Sequence, residues 1–573
     1  MKRDIDALRH SASHVLAQAV LELFPKTKLA IGPPIENGFY YDFDRNKGFT
    51  PEDLEKIEKR ALEIIKKDLP IKKSLKTKAE AKKILKDQPY KLELLEELKG
   101  KPSFYQQGDF IDLCAGPHVK STGEIKAFKI LSTAGAYWRG DSKKKMLQRI
   151  YGTAFYDRKE LKKYLFMLEE AKKRDHTKLG KELDLFVISE VVGKGLPLLT
   201  PKGATIKRIL QRFIEDEELR RGYQFTDTPI MAKTDLYKIS GHLDHYKKDM
   251  FVFKANGEEM ALRPMTCPHQ FMIYKSKLRS YKELPIKYAE VADLFRNEKS
   301  GELHGLMRIR QFCLADAHIF CIPEQLEKEF EGVVNLIQYV METLGFKDYW
   351  YRFSKGSSKN KEKYIDNPKA WNSSQKMMKK ILDKMKLKYV EAEDEAAFYG
   401  PKLDIQMKNV HGKEDTMFTV QIDFALSERF DLTYEGEDGK KHRPMIIHRS
   451  SIGCLERTIA MLIEHYAGRF PLWLSPVQVK IITVTDRSNK FAEGLKEKLE
   501  ENNIRVETDF RSESISKKVR DAQKEKVNYM ITIGDKEIKS KKLAIRTREG
   551  KVSFNISTEK FIKDLLKEIE SKK

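Results

Sequence analysis

Apolar residues recur at helical spacing from His10 to Leu23, and Phe39-Tyr-Tyr-Asp-Phe43 has the aromatic character of a strand. Residues 1–156 therefore read as helices mixed with short strands. From Asp157 to Lys181 the chain is rich in Lys, Glu, Leu and Ala, which predicts one long helix bridging two domains. Residues 182–471 form a larger block with a helical stretch at Ile206–Arg221 and β-rich runs at Lys287–Val291, Thr419–Phe424 and Met445–His448. Helices do not alternate regularly with these runs, so an antiparallel or mixed sheet is expected rather than a doubly wound parallel one. Phe470-Pro-Leu-Trp-Leu-Ser-Pro476 reads as a boundary. Beyond it, a β-branched run at Val477–Val484 is followed by helix Lys490–Glu501, strand Arg505–Asp509, helix Ser516–Lys526 and strand Tyr529–Ile533. That βαβαβ order predicts a small α/β domain with parallel strands. The expected fold class is thus multidomain α+β and α/β.

Composition narrows the function classes. The 573 residues carry 109 Lys and Arg against 86 Asp and Glu, a formal charge of +23. Such a surplus suits a polyanion partner such as nucleic acid, or simply a lysine-rich surface, since the lysines are spread along the chain. No apolar run approaches the roughly 18 residues of a membrane span. Met1–His10 lacks the apolar core of a secretory signal. The cysteines, Cys114, Cys267, Cys313, Cys321 and Cys454, are few and unevenly spaced, which argues against a disulfide framework and for a reducing cytoplasm.

Candidate chemistry begins at Phe295-Arg-Asn-Glu298, which follows a strand-like run and precedes the turn residues Lys299-Ser-Gly-Glu302. If Arg296 lies on the strand, Glu298 two residues on shares its face. Arginine offers a permanent, bidentate fork for phosphate or carboxylate. Alone, the pair could be a surface ion pair. Downstream stand His304, Arg308, Arg310 and Phe312, and much later Gly453-Cys-Leu-Glu-Arg457 in a helical context. Together, in this order and with Thr228-Pro229 ahead of them, these segments resemble motifs 1, 2 and 3 of class II aminoacyl-tRNA synthetases. The resemblance implies an antiparallel sheet flanked by helices and ATP accompanied by Mg2+. It places Arg296 between the ATP α-phosphate and an amino-acid carboxylate, Arg457 at the γ-phosphate, the adenine against Phe312, and Glu298 and Arg308 in the cradle.

Cys267, His318 and His448 are possible zinc ligands by residue type, as are His269, His304, Cys313, Cys321 and Cys454, and spacing does not choose among them. The contexts Met265-Thr-Cys-Pro268, Asp316-Ala-His-Ile-Phe-Cys321 and His448-Arg449 resemble threonyl-tRNA synthetases, as do His304-Gly-Leu-Met-Arg308 and Ala397-Phe-Tyr-Gly-Pro-Lys402. The likeness runs over essentially the whole chain. It implies one Zn2+ on Cys267, His318 and His448, and L-threonine contacts from Asp316, Tyr399 and Gln421. Lys402 and His242 become catalytic candidates, His242 for transfer to the tRNA ribose. ATP, tRNA(Thr) and a homodimer are the implied partners.

His10 and His14, four apart, share a helix face, and Asp112-Leu-Cys114-Ala-Gly-Pro-His118 is loop chemistry. Two His, a Cys and a further His read equally as a closed zinc site. The resemblance instead implies a metal-free site that hydrolyses Ser-tRNA, with Lys91 and Asp112 in support. In the last domain it implies anticodon contacts from Asp486, Arg520, Glu537 and Arg546. The domains expected are 1–156 for editing, 157–181 as linker helix, 182–471 for catalysis and 472–573 for anticodon binding. An amino-terminal ubiquitin-like domain, common in bacterial members, is not expected ahead of the editing domain here. The chain departs from the family at Leu314 and Ala315 in place of Gln and Asp, at Thr416 where a glutamine is expected, and at His269-Gln270 in place of Gly-His. Two other readings remain: a synthetase-like RNA-binding regulator, and an enzyme acting chiefly as a Ser-tRNA deacylase.

Overall fold

The structure, a computed structural model, describes residues 4–141, 143–357, 360 and 363–572. The chain forms two compact units, Met1–Glu169 and Glu170–Lys573. In the first, helix Ile5–Leu23 starts at Asp4, whose carboxylate accepts from the backbone N–H groups of Asp6 and Ala7. Nearly every side chain from Ala7 to Val20 is buried, because the helix sits between helix Pro51–Lys66 and an antiparallel sheet. That sheet runs Lys28–Leu29, Gly38–Asp44, Met146–Phe155, Ala127–Tyr137. Phe39, Tyr41 and Phe43 of its second strand join Leu8, Val15, Leu16, Ile57 and Ile64 in the core. A smaller sheet of Ile71–Leu75, Ser103–Gln107 and Phe110–Leu113 carries the loop that holds Cys114 and His118.

The second unit is organised on an eight-stranded sheet ordered Gln224–Phe225, Ile286–Phe295, Gln311–Cys321, Met445–Cys454, Glu414–Asp423, Lys402–Lys408, Tyr349–Lys355, Tyr389–Glu393. Pairing is antiparallel except at the two ends, in line with the expected antiparallel or mixed sheet. Helix Leu326–Thr343 buries Phe330, Val333, Val334, Ile337, Val340 and Met341, a single apolar stripe laid on the sheet. Gly453 is fixed by geometry: its φ is +67°, and a Cβ there would meet the Met417 carbonyl oxygen at 2.2 Å. The strands pair Leu314 with Cys454 but Asp316 with Ser450, so Ser451–Gly453 forms a bulge just before helix Leu455–His465.

Two expectations change. The stretch Asp157–Lys181 is two helices, Arg158–Arg174 and His176–Glu182, because Asp175 leaves helical geometry and caps the second through Lys178 N–H at 2.9 Å. Arg296 and Glu298 lie beyond the strand, which ends at Phe295, so strand periodicity does not set their relation; Arg296 N–H instead donates to Arg310 O at 2.8 Å across a loop. The segment Phe470–Pro476, read as a boundary, packs closely: Trp473 meets Phe213 edge-on at 5.5 Å, and Arg505 donates to the Leu472, Trp473 and Ser475 carbonyls. The last hundred residues contain the expected parallel strands Val506–Asp509, Val479–Thr483 and Tyr529–Ile533, then two antiparallel strands, Leu543–Thr547 and Val552–Ile556, and a final helix Thr558–Ser571. No helix among the described residues is long and apolar enough to cross a membrane.

Arg449, fully buried in the central strand, reaches Glu218 of helix Pro201–Arg220 at 2.7 Å, and Ser451 Oγ donates to the same carboxylate. Removing one partner strands a buried charge. Glu218→Ala is expected to cost about 3–5 kcal/mol in urea unfolding, and the double replacement Glu218→Met with Arg449→Met far less.

Candidate functional site

Strand Gln311–Cys321 alternates between two environments. Cys313, Ala315, Ala317 and Ile319 enter the main core, while Phe312, Leu314, Asp316 and His318 line a cavity of about 850 Å³. Of the two departures noted at Leu314 and Ala315, only Leu314 therefore faces the cavity. Pairing sets His318 opposite His448, His448 opposite Gln421, and Gln421 opposite Lys402. Cys267 reaches the same place from the start of helix Cys267–Lys275. The ligand atoms of Cys267, His318 and His448 all lie within 4.8 Å of one another, and all three residues are buried.

Each imidazole is oriented from behind. Gln270, one helical turn from Cys267, accepts from His318 Nδ1 at 2.6 Å, and its amide donates to Thr226 Oγ1 at 2.8 Å. This leaves Nε2 of His318 with its lone pair. His448 Nε2 donates to Asp423 Oδ2 at 2.8 Å, while Asp423 Oδ1 accepts from the Ala425 and Leu426 N–H groups. His448 thus offers Nδ1. Tyr399 stacks on His448 with ring centroids 4.8 Å apart, and its hydroxyl donates to Gln421 Oε1. Burial holds His318 far below its usual range, so it is a neutral donor, and pushes the Cys267 thiol up. Two oriented imidazoles and a thiol, open to a cavity, fit a catalytic zinc, whose binding would displace the thiol proton. Asp316 accepts from Thr266 Oγ1 at 2.8 Å, and burial raises its carboxyl.

The same cavity gathers the remaining catalytic candidates. The Arg296 guanidinium lies over Phe312, 5.0 Å from the ring centre. Glu298 Oε2 accepts from Arg308 at 2.8 and 2.7 Å. Arg457 is held by two carbonyls, Met307 O at 3.1 Å and Thr416 O at 2.7 Å. Thr416, the third departure, also accepts from Gln406 Nε2 at 2.6 Å through its hydroxyl. Lys402 Nζ pairs with the buried Asp404 at 2.9 Å. Ser240 Oγ donates to Tyr237 O, so it accepts from His242 Nδ1 at 2.8 Å, and His242 Nε2 keeps a lone pair. Burial, reinforced by His448 and His245, pushes His242 down to about 3.

In the first unit, His10 and His14 leave one face of their helix and meet Cys114 and His118. Cys114 Sγ is 3.2 Å from His10 Nε2 and 3.2 Å from His118 Nε2. Ser11 Oγ donates to Ala7 O and therefore accepts from His118 Nδ1 at 3.1 Å, which turns the His118 Nε2 lone pair toward the thiol. Asp112 accepts from Lys91 at 2.7 Å and from the Tyr41 hydroxyl at 2.6 Å, and stands 3.8 Å from His14 Nε2. Burial pushes the Cys114 thiol up to about 11 and lowers all three imidazoles. The four side chains lie close enough to hold a metal ion, and as neutral donors they equally suit proton transfer to and from water.

In the last domain, Asp486 follows strand Val479–Thr483, Glu537 follows strand Tyr529–Ile533 and caps Gly534 N–H at 3.0 Å, and Arg520 is exposed on helix Ile515–Lys524. Arg546 pairs with Met530 toward the opposite strand end and donates to Gly550 O at 3.3 Å.

Sequence reading missed Gln270 as a support, as well as Asp423, Thr266, Ser11 and Tyr41. Only Gln270 had a local signal, three residues from Cys267 on one helix face. Asp423→Asn keeps the caps on Ala425 and Leu426 but cannot accept from His448. Metal affinity is expected to fall about 10–100-fold, read by competition with a chelator.

Residues 246–466 match the family tRNA synthetase class II core domain (G, H, P, S and T), residues 478–568 an anticodon binding domain, and residues 103–151 the threonyl and alanyl tRNA synthetase second additional domain. A threonine–tRNA ligase of Clostridium botulinum (strain Eklund 17B / Type B) is 57% identical over 573 residues, covering 99% of this chain and 89% of that one. One from Geobacillus kaustophilus (strain HTA426) is 50% identical over 579 residues, covering 100% and 89%. The RNA binding domain of threonyl-tRNA synthetase from Cryptosporidium parvum Iowa II superposes with a TM-score of 0.66 at 33% identity, over 69% of this chain and 98% of that one. Prolyl-tRNA synthetase from Cryptosporidium parvum, at 15% identity and a TM-score of 0.53 over 69% and 75%, shares the fold. Motif order, cavity and relatives agree: the chain belongs to the threonyl-tRNA synthetase family.

Proposed function

We propose that the chain is a threonine–tRNA ligase that activates L-threonine with ATP, transfers it to the 3′ end of tRNA(Thr) and hydrolyses Ser-tRNA(Thr). The observation that carries this reading is the convergence of Cys267, His318 and His448, within 4.8 Å, on the cavity that also holds Arg296 and Arg457. In activation, the threonine carboxylate attacks the ATP α-phosphorus in line and pyrophosphate leaves. Arg296 neutralises charge on both reactants, Arg457 holds the γ-phosphate end, Phe312 supports the adenine, and Glu298 orients Arg308 in the cradle. Mg2+ accompanies the phosphates. Catalysis is then positioning plus charge stabilisation. Cys267, His318 and His448 would hold a Zn2+ ion, which when bound would supply Lewis-acid recognition of the threonine amino group and β-hydroxyl. Valine has no such hydroxyl to be recognised. Asp316 accepts from that hydroxyl, and Tyr399 and Gln421 close the pocket beside it, with Lys402 next in the row. In transfer, a ribose hydroxyl attacks the adenylate carbonyl, AMP leaves, and the His242 Nε2 lone pair takes the proton.

Serine differs from threonine by one methyl, worth only about 1–3 kcal/mol of discrimination. The site of His10, His14, Cys114 and His118, buttressed by Lys91 and Asp112, answers that leak. Residues 1–156 would edit, 157–181 link, 182–471 catalyse, and 472–573 read the anticodon through Asp486, Arg520, Glu537 and Arg546. Exposed Leu219, Phe225, Ile230 and Met231 beside the edge strand Gln224–Phe225 support a homodimer, since a second copy would cover them. Five free cysteines suit the cytoplasm.

Threonine-dependent ATP–pyrophosphate exchange is expected, abolished by a strong chelator and absent with valine. No exchange with any amino acid would overturn the ligase reading. Cys267→Ala should remove the zinc measured on purified protein; full retention would move the metal to the first unit. Cys114→Ala should slow Ser-tRNA(Thr) hydrolysis by about 10²-fold or more, with threonine exchange unchanged.

A further inference from the structure

His176 takes no part in the chemistry above, yet it is fully buried and occupied at both ring nitrogens. Its Nδ1 lies 2.7 Å from Glu464 Oε1, and its Nε2 lies 3.2 Å from the backbone N of Leu306. The Leu306 N–H can only donate, so Nε2 carries the lone pair and Nδ1–H donates to Glu464. Glu464 is itself fixed, accepting from Val410 N–H at 3.1 Å. Asp175, His176 and Glu464 are close enough to suggest a metal site, but His176 has no lone pair left for one.

The partner of His176 is a tight turn. His304 and Arg308 exchange backbone hydrogen bonds at 3.1 and 3.2 Å, and Met307 N–H donates to His304 O at 2.8 Å. The His304 ring stands edge-on to His176 at 5.0 Å. Gly305 has φ +48°, and a Cβ there would lie 2.1 Å from His176 Nε2, so the turn is closed directly over the imidazole. Met307, which follows the anchored Leu306, presents the carbonyl that holds Arg457 Nε, and Arg308 closes the turn against Glu298.

We propose that His176 is a positioning residue for ATP: the chain Glu464–His176–Leu306 N–H anchors the 304–308 turn, which in turn sets Arg308 and, through Met307 O, Arg457. This rests on the reading of Arg308 and Arg457 as ATP ligands. Asp175 serves the same end by starting helix His176–Glu182 where it does, delivering the imidazole under the turn.

The test is ATP–pyrophosphate exchange with the full chain, scoring KM for ATP and for threonine separately. His176→Asn keeps a donor toward Glu464 but cannot reach Leu306. It is expected to raise the ATP KM about tenfold, the equivalent of one lost hydrogen bond, with the threonine KM within about twofold. His176→Gln, whose Oε1 can reach the position of Nε2, should restore most of the ATP KM. Gly305→Ala, which leaves His176 and Glu464 intact, should reproduce the ATP defect and serves if His176→Asn does not fold. Arg457→Ala separates the two readings. If it raises the ATP KM while His176→Asn and Gly305→Ala do not, the anchor is overturned. If His176→Asn raises both KM values alike, or His176→Gln rescues nothing, His176 is only structural. If Arg457→Ala leaves the ATP KM unchanged, the ATP reading fails and this inference with it.

Discussion

The site depends on strand register. His318, His448, Gln421 and Lys402 come from four different strands and stand in one row because those strands pair in one alignment. Side chains in a strand alternate with period two, so a slip of one residue would turn a ligand toward the core and a core residue toward the cavity. The apolar set Cys313, Ala315, Ala317 and Ile319 penalises that slip, since its burial is possible in only one alignment. Hydrophobic packing on one face therefore determines how the candidate ligands are arranged on the other. Cys267 is the exception, brought in by a helix, and Gln270 on that same helix ties it back to the row through His318.

Buried polar groups supply what register does not. Gln270 and Asp423 decide which nitrogen each imidazole offers, Ser240 does so for His242, and Ser11 for His118. Each support makes a second hydrogen bond of its own, to Thr226, to the Ala425 and Leu426 amides, to Tyr237 O and to Ala7 O. A network satisfied throughout avoids the penalty of an unpaired group in low dielectric, and it leaves the functional lone pairs as the unspent ones. The two histidine–cysteine sites use this principle in unrelated surroundings.

Much of this was legible in the sequence, for identifiable reasons. The strands at Phe39–Phe43, Tyr529–Ile533 and Met445–His448 announce themselves through β-branched and aromatic runs, and the three motifs through residue types at fixed local spacing. The metal trio was legible only through resemblance, because its members are 51 and 130 residues apart and pairing register is not local information. Asp423 carried no signal for the same reason. The break at Asp175 was hidden because the flanking composition is helical on both sides and one capping carboxylate decides it. The two antiparallel strands of the last domain escaped notice because Val552–Ile556 is largely exposed and lacks an apolar run. Arg296 and Glu298 both line the cavity, but a loop hydrogen bond rather than strand alternation positions Arg296.

The alternation of strand Gln311–Cys321 has a consequence for how this protein can vary. Leu314 and Ala315 are adjacent in sequence but answer to different demands. A change at Leu314 alters the wall of the cavity and leaves the packed interior alone. A change at Ala315, which is almost fully buried, must fit the volume left by its neighbours. Cavity shape and core packing are thus separable coordinates along a single strand, and drift in one family position need not be matched by compensation at the next.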